Sequence, residues 1–246
     1  MLFLELSKLE LNLKWAVAEI IEQYLTDPGG RTQTSNTGTF NGDGGTATFS
    51  LSNSSNFLYI SSVVSDSVTR TKWQDYSINY GTDATTGTKS ASITFKSHAI
   101  PAVGTGNVVV TYYTGTRYVY IDYPNKNLSE DGYPRITIFG GTNTQENLGR
   151  DHANNKSYWM LTTPLQLSLW TPNKVVYSYK GEKMSNNLLL DAWGEEIIDL
   201  FKNQAFNNLY PKFFDFHISS QESELQLGSV IWQKVMNIER GKTVIY

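Results

Sequence analysis

The feature that most constrains this chain is an abrupt change of composition inside it. From Thr26 to Thr116 the sequence is dense in Thr, Ser, Gly and Asn, while both flanks are richer in Leu, Trp and charged residues. Small polar runs punctuated by glycine favour short strands and tight turns, whereas Leu-rich runs with spaced charges favour helices and buried strands. A single continuous domain has no reason to change its pattern twice. An insertion accounts for both changes: residues 1–30 and 117–246 form one α/β scaffold, and residues 31–116 form a domain inserted into it. At 246 residues the chain has enough length for a hydrophobic core in each part.

In the first flank Leu6, Leu9, Leu13, Val17, Ile20, Ile21 and Tyr24 recur at helical spacing, and Asp27-Pro28-Gly29-Gly30 ends the pattern. This predicts an amphipathic helix. Its polar face is not basic, which favours a core-covering role over a membrane-surface one. Glu5, Lys8, Glu10 and Lys14 interrupt the apolar opening and no small-residue cleavage site follows, so neither a signal peptide nor a membrane span is expected.

The insertion offers β-type runs at Phe40–Leu51, around the turn Asn41-Gly42-Asp43-Gly44-Gly45, then at Phe57–Val64, Val68–Tyr80, Ala91–Phe95 and Val108–Tyr113. In the last of these Val108, Val110 and Tyr112 alternate with Val109, Thr111 and Tyr113, after a turn at Pro101 and Gly104-Thr105-Gly106. Short strands at such spacing predict an antiparallel β-sandwich of the Ig-like kind.

After Thr116 strands are predicted at Tyr118–Ile121, Pro134–Phe139 and Leu165–Trp170, with a polar loop, Gly140 to Ser157, as a binding arm or flap. A second helix is expected from Asn186 to Gln204 with Ser185 as its N-cap; Leu190, Trp193, Ile197, Leu200 and Phe201 form its apolar face. Strands at Lys212–Ser219 and Ser229–Glu239 and a tail at Val244-Ile245-Tyr246 complete an α+β fold.

Chemistry is harder to find. The chain has no cysteine, so it forms no disulfide and offers no thiolate nucleophile or ligand. A formal charge of −3 without any basic run argues against a broad grip on phosphates. The histidines His98, His152 and His217 stand apart from one another in sequence. No G-x-S-x-G, P-loop or H-E-x-x-H occurs, and the glycine-rich Gly42–Gly45 turn opens no helix that could cradle a phosphate. Asp43, Asp66, Asp75 and Asp83 are turn carboxylates that solvent would satisfy; calcium at the loop ends is the alternative, without a D-x-D-x-D-G loop to favour it. We therefore expect no catalytic residue, no cofactor and no metal.

Two side-chain groups remain as candidates for interaction. Asp191, Glu195 and Asp199 recur at steps of four on the second helix, as a solvated face or as carboxylates turned toward a channel or a neighbour. Aromatics of the insertion, Trp73 and Tyr76 foremost, with Tyr80, Tyr112 and Tyr113, would either fill the sandwich core or stack on sugars, which makes carbohydrate binding or host adhesion the alternative function.

The order of the scaffold elements carries a resemblance. It runs helix, strand pair around Tyr133-Pro134-Arg135-Ile136-Thr137-Ile138, strand ending Leu169-Trp170-Thr171-Pro172, helix with Leu190-Asp191-Ala192-Trp193, and closing strands. Over residues 1–25 and about 117–246 this resembles the tail terminator proteins of long-tailed viruses, also called tail completion or head-to-tail joining proteins. The insertion, with Lys72-Trp73-Gln74-Asp75-Tyr76-Ser77-Ile78, Ala91–Phe95 and Val108–Tyr113, is similar to β-sandwich repeats that decorate virion proteins. The resemblance implies a virion protein of the tail or head–tail junction, assembled in the host cytoplasm as a homo-oligomer, a hexameric ring. Its partners would be the tail-tube protein and the head-connector protein, and genomic DNA would pass through the lumen without sequence-specific binding. It also implies that Asp191, Glu195 and Asp199 lie near the lumen or a subunit interface. The size of the insertion leaves another connector or tail-tube component as a further reading.

Overall fold

The computed structural model describes residues 2–52, 56–72, 74–82, 89–122, 132–141, 144–151, 156–162, 164–173, 175–202, 217–225, 231–239 and 242–245. The chain forms two compact units: Met1–Gly29 with Tyr118–Tyr246, and Gly30–Arg117 between them. The fold is α+β, with antiparallel sheets dominating.

The inserted unit is a pair of antiparallel sheets. One holds β1 (Gln33–Gly42), β7 (Gly104–Gly115), β3 (Phe57–Ser65) and β4 (Val68–Thr69), in that order; the other holds β2 (Thr48–Ser50), β6 (Lys89–Phe95) and β5 (Tyr76–Thr82). Alternation drives the packing. Val108, Val110 and Tyr112 of β7 are buried with Phe57, Ile60 and Val63 of β3, and they meet Phe49, Ile78, Ile93 and Phe95 of the second sheet in one core. Phe49 stands edge-on to Phe95 with ring centroids 5.9 Å apart.

Two expectations for this unit change. The run Val68–Tyr80 is not one strand but β4 and β5, separated by a turn in which Thr71 N–H donates to Asp75 Oδ2 at 2.8 Å. The strand expected from Phe40 begins seven residues earlier in the polar stretch Gln33–Thr39, because β1 takes its register from β7 (Gln33 opposite Gly115, Phe40 opposite Val108) rather than from apolar side chains.

The scaffold unit is built on a five-stranded sheet in the order β15 (His217–Leu225), β16 (Ile231–Glu239), β12 (Leu165–Pro172), β9 (Arg135–Gly140), β8 (Val119–Ile121). All neighbours are antiparallel except β8 and β9, which run parallel. Leu167 lies between Ile138 and Met236, and Leu169 between Ile136 and Lys234, so these side chains share one face. Helix α2 (Asn186–Lys202) covers that face: Leu189, Leu190, Trp193, Ile197 and Phe201 are buried, and Asp191 reaches Lys234.

Helix α1 (Leu2–Tyr24) departs from the amphipathic expectation in its second half, where every residue from Leu13 to Glu22 is buried. The polar side chains there carry bonds inward. Lys14 pairs with Asp122 at 2.8 Å, and Glu22 Oε1 accepts the N–H groups of Tyr118 and Val119 at the start of β8. Neither helix is long and apolar enough to cross a membrane.

Two hairpins lie where no strand pair is expected from the sequence, one of them beginning inside the expected polar loop. The polar segment after Gly140 contains β10 (Thr144–Asp151) and β11 (Lys156–Thr162), which pair with each other and, through β11, with β17 (Lys242–Ile245) in a separate three-stranded sheet. Before α2, β13 (Val176–Tyr179) and β14 (Glu182–Ser185) form a hairpin around Lys180 and Gly181, both at positive φ (49° and 85°), the turn geometry that matches strand twist. The strand expected at Lys212–Ser219 is described only from His217, where β15 starts; residues 203–216 lie outside the described set.

Candidate functional site

The candidate carboxylates on α2 do not act as one stripe. Asp191 is bonded to Lys234 Nζ at 2.6 Å; the Lys234 side chain is 6% exposed and that of Asp191 half-exposed. A buried ammonium needs such a partner, so Asp191 serves the fold. Glu195 and Asp199, one turn apart, are exposed and carry no ion pair among the described residues.

Sequence spacing passed over Glu196, the most connected carboxylate of the helix. It accepts hydrogen bonds from the buried Tyr179 hydroxyl, from Thr26 N–H at 3.2 Å and Thr26 Oγ1–H at 3.3 Å, and pairs with Lys180 at 2.8 Å. Burial works to raise its pKa, but the bonds from Lys180, Tyr179 and Thr26 outweigh that and hold it below the ordinary 4.5. The same burial and the same carboxylate push the Tyr179 phenol up. Glu196 thereby ties the β13–β14 hairpin to α2 and to the end of α1. Trp193 strengthens that junction: its ring stacks on Tyr118 at 5.9 Å, and its Nε1–H donates to Thr26 O at 3.1 Å.

Between hairpin and helix lies an open cleft of about 520 Å³. Tyr24, Met184, Ala192 and Leu200 supply its apolar lining, and Glu182, Glu195 and Asp199 join Glu196 as its carboxylates.

Two of the strand motifs singled out in the sequence, around Arg135 and Trp170, meet in the sheet. Arg135 of β9 and Trp170 of β12 are direct partners, with the guanidinium 5.7 Å from the Trp170 ring and 4.3 Å from that of Tyr133. Arg135 is 9% exposed, and its Nε and Nη1 have no hydrogen-bond partner among the described residues. Burial lowers its pKa from the ordinary guanidinium value, opposed by the phenols of Tyr133 and Tyr120. Beside it Trp170 Nε1–H donates to Thr137 Oγ1 at 2.9 Å, and Gln233 to Ser168 Oγ at 3.1 Å. This face of the sheet is therefore a buried polar layer, opposite the leucine face.

In the inserted unit Tyr76, offered as a sugar platform, is in the core: it is 4% exposed, with its ring 6.3 Å from that of Phe95. A ring enclosed on both faces has none left for stacking. Tyr112 is likewise buried, its hydroxyl donating to Ser52 O. Trp73 lies outside the described residues, as does His152, and the Tyr80 side chain does too.

The turn aspartates are turned to the chain's own donors. Asp43 takes the Thr46 hydroxyl and the N–H groups of Thr46 and Gly45, which together hold its pKa at about 2. Asp66 takes Asn107 Nδ2 at 2.7 Å and pairs with Arg70 at 3.3 Å; Asp75 takes Thr71 N–H and lies 3.2 Å from His98 Nε2. Asp83 lies outside the described residues. Among the described residues no group of three or more His, Cys, Asp or Glu is placed to hold a metal ion. No protein-family model matches the chain, and neither does any curated protein sequence.

Proposed function

We propose that this chain is a structural, non-enzymatic protein of the head–tail junction of a long-tailed virus: a tail terminator whose copies form a ring that ends growth of the tail tube, joins it to the connector and leaves a lumen for the genome. The observation that carries the reading is the outer face of α2. Glu195 and Asp199 stand in solvent with no cation partner among the described residues, while the neighbouring Asp191 and Glu196 are each taken up by a lysine. A passage for DNA works when its wall does not hold phosphates, and uncompensated carboxylates repel them. The pairing of Arg135 with Trp170 adds support, since it joins the two strand motifs on which the resemblance rests. In this role the working partners are further copies of the chain, the tail-tube protein and the head-connector protein. The inserted sandwich forms a surface layer.

Electron microscopy of the purified protein tests the proposal. Rings or short stacks of rings are expected, and added rings should shorten tubes grown from the tail-tube protein. A chain that stays monomeric at every concentration overturns the reading; tubes built from the chain itself would assign it to the tube instead.

A further inference from the structure

The cleft between the β13–β14 hairpin and α2 has a make-up that a repelling lumen wall does not require. Its volume, about 520 Å³, lies in the range of binding pockets. Met184 and Leu200 give it an aliphatic surface, and the Tyr24 ring, 51% exposed, gives it an aromatic one. Glu182, Glu195 and Asp199 bring three carboxylates without ion pairs among the described residues, and the lysine in the lining, Lys180, is committed to Glu196 at 2.8 Å. The bonds that Glu196 receives from Tyr179 and Thr26 fix the two walls in place, so an occupant would pay little to order them.

We propose that this cleft docks a segment of a partner protein that carries lysine or arginine next to an aliphatic residue. The cation would pair with Glu195 and Asp199 and face the Tyr24 ring, while its methylene stem and the aliphatic neighbour cover Met184 and Leu200. An anionic ligand has the wrong sign. A wholly apolar segment would strip water from three carboxylates and return nothing. The proposal stands on the cleft alone; if copies of the chain form a ring, an occupied cleft places Glu195 and Asp199 at an interface with the partner and not on a bare lumen wall.

Fluorescence anisotropy on the full chain decides it, with a labelled peptide of alternating Lys and Leu, a Glu-for-Lys counterpart and a Ser-for-Leu counterpart. The Lys-Leu peptide should bind and the Glu-Leu peptide should not. Tyr24→Ala and the pair Glu195→Gln with Asp199→Asn should each weaken binding about tenfold, as should the Ser-for-Leu peptide. Asp43→Asn, which removes a charge from the inserted unit, should leave it unchanged. The altered side chains are exposed, and an unchanged thermal midpoint checks that the fold is intact. Absence of Lys-Leu binding overturns the proposal; so does equal binding by the charge-pair variant, or an equal loss with Asp43→Asn.

Discussion

Gly194 lies inside α2, where glycine costs a helix about 1 kcal/mol relative to alanine. The sheet beneath explains it: a Cβ at Gly194 would come within 3.0 Å of Lys234 Cε and 3.2 Å of its Nζ. The missing side chain is the space through which Lys234 crosses under the helix to Asp191. Gly194→Ala should therefore lower stability in the presence of Lys234 and raise it in a Lys234→Val background. A double-mutant cycle of urea midpoints reads the coupling, expected at about 1–3 kcal/mol. Little of this was legible in the sequence. Alternation in Ile231–Met236 does put Lys234 on the face of Met236, but its partner is 43 residues away, and nothing local distinguishes Asp191 from Glu195. Tyr76 shows the same limit, since an aromatic residue in a strand reads alike whether its ring fills a core or faces solvent.

Elements with strong apolar alternation were readable in advance. β12, with Leu165, Leu167 and Leu169 buried, and α2 along its Leu190–Trp193–Ile197 stripe formed where periodicity placed them. The hairpins β10–β11 and β13–β14 were not, because neither shows the strict apolar alternation of β12, and Lys180-Gly181 was the local sign of the second left unread. The element the fold leans on at this point is the Glu196 junction. Its carboxylate is more acidic in the folded chain than in the unfolded one, so its stabilising effect is fully present above pH 4.5 and is lost as pH falls through the lower folded value. Wild type should lose stability relative to Glu196→Gln below pH 4.5. At neutral pH the variant should be less stable by about 1–3 kcal/mol. Urea unfolding at several pH values tests both, and hydrogen exchange should show the acid-weakened region to be β13–β14.

At the scale of the whole molecule, the inserted unit closes on itself. Gln33 pairs with Gly115, so its two ends leave side by side. The scaffold keeps its own ends together as well, for Tyr118 donates its hydroxyl to Ile21 O and Leu25 O, and Glu22 receives its N–H. Each unit has a separate core and neither needs the other to bring its ends into register. Replacing residues 30–117 by a short Gly-Ser linker should leave a scaffold that unfolds cooperatively with Trp193 still buried, and residues 30–117 alone should fold. Calorimetry on the two pieces would show it, and loss of the transition in either one counts against independence.

Paired ends of this kind make the junction at Gly29 and Tyr118 a socket. Any module whose own termini lie close together can be seated there, so the inserted unit could be exchanged, enlarged or removed without redesigning the scaffold's core. The same socket is a display position, where an epitope or a fluorescent domain could be carried.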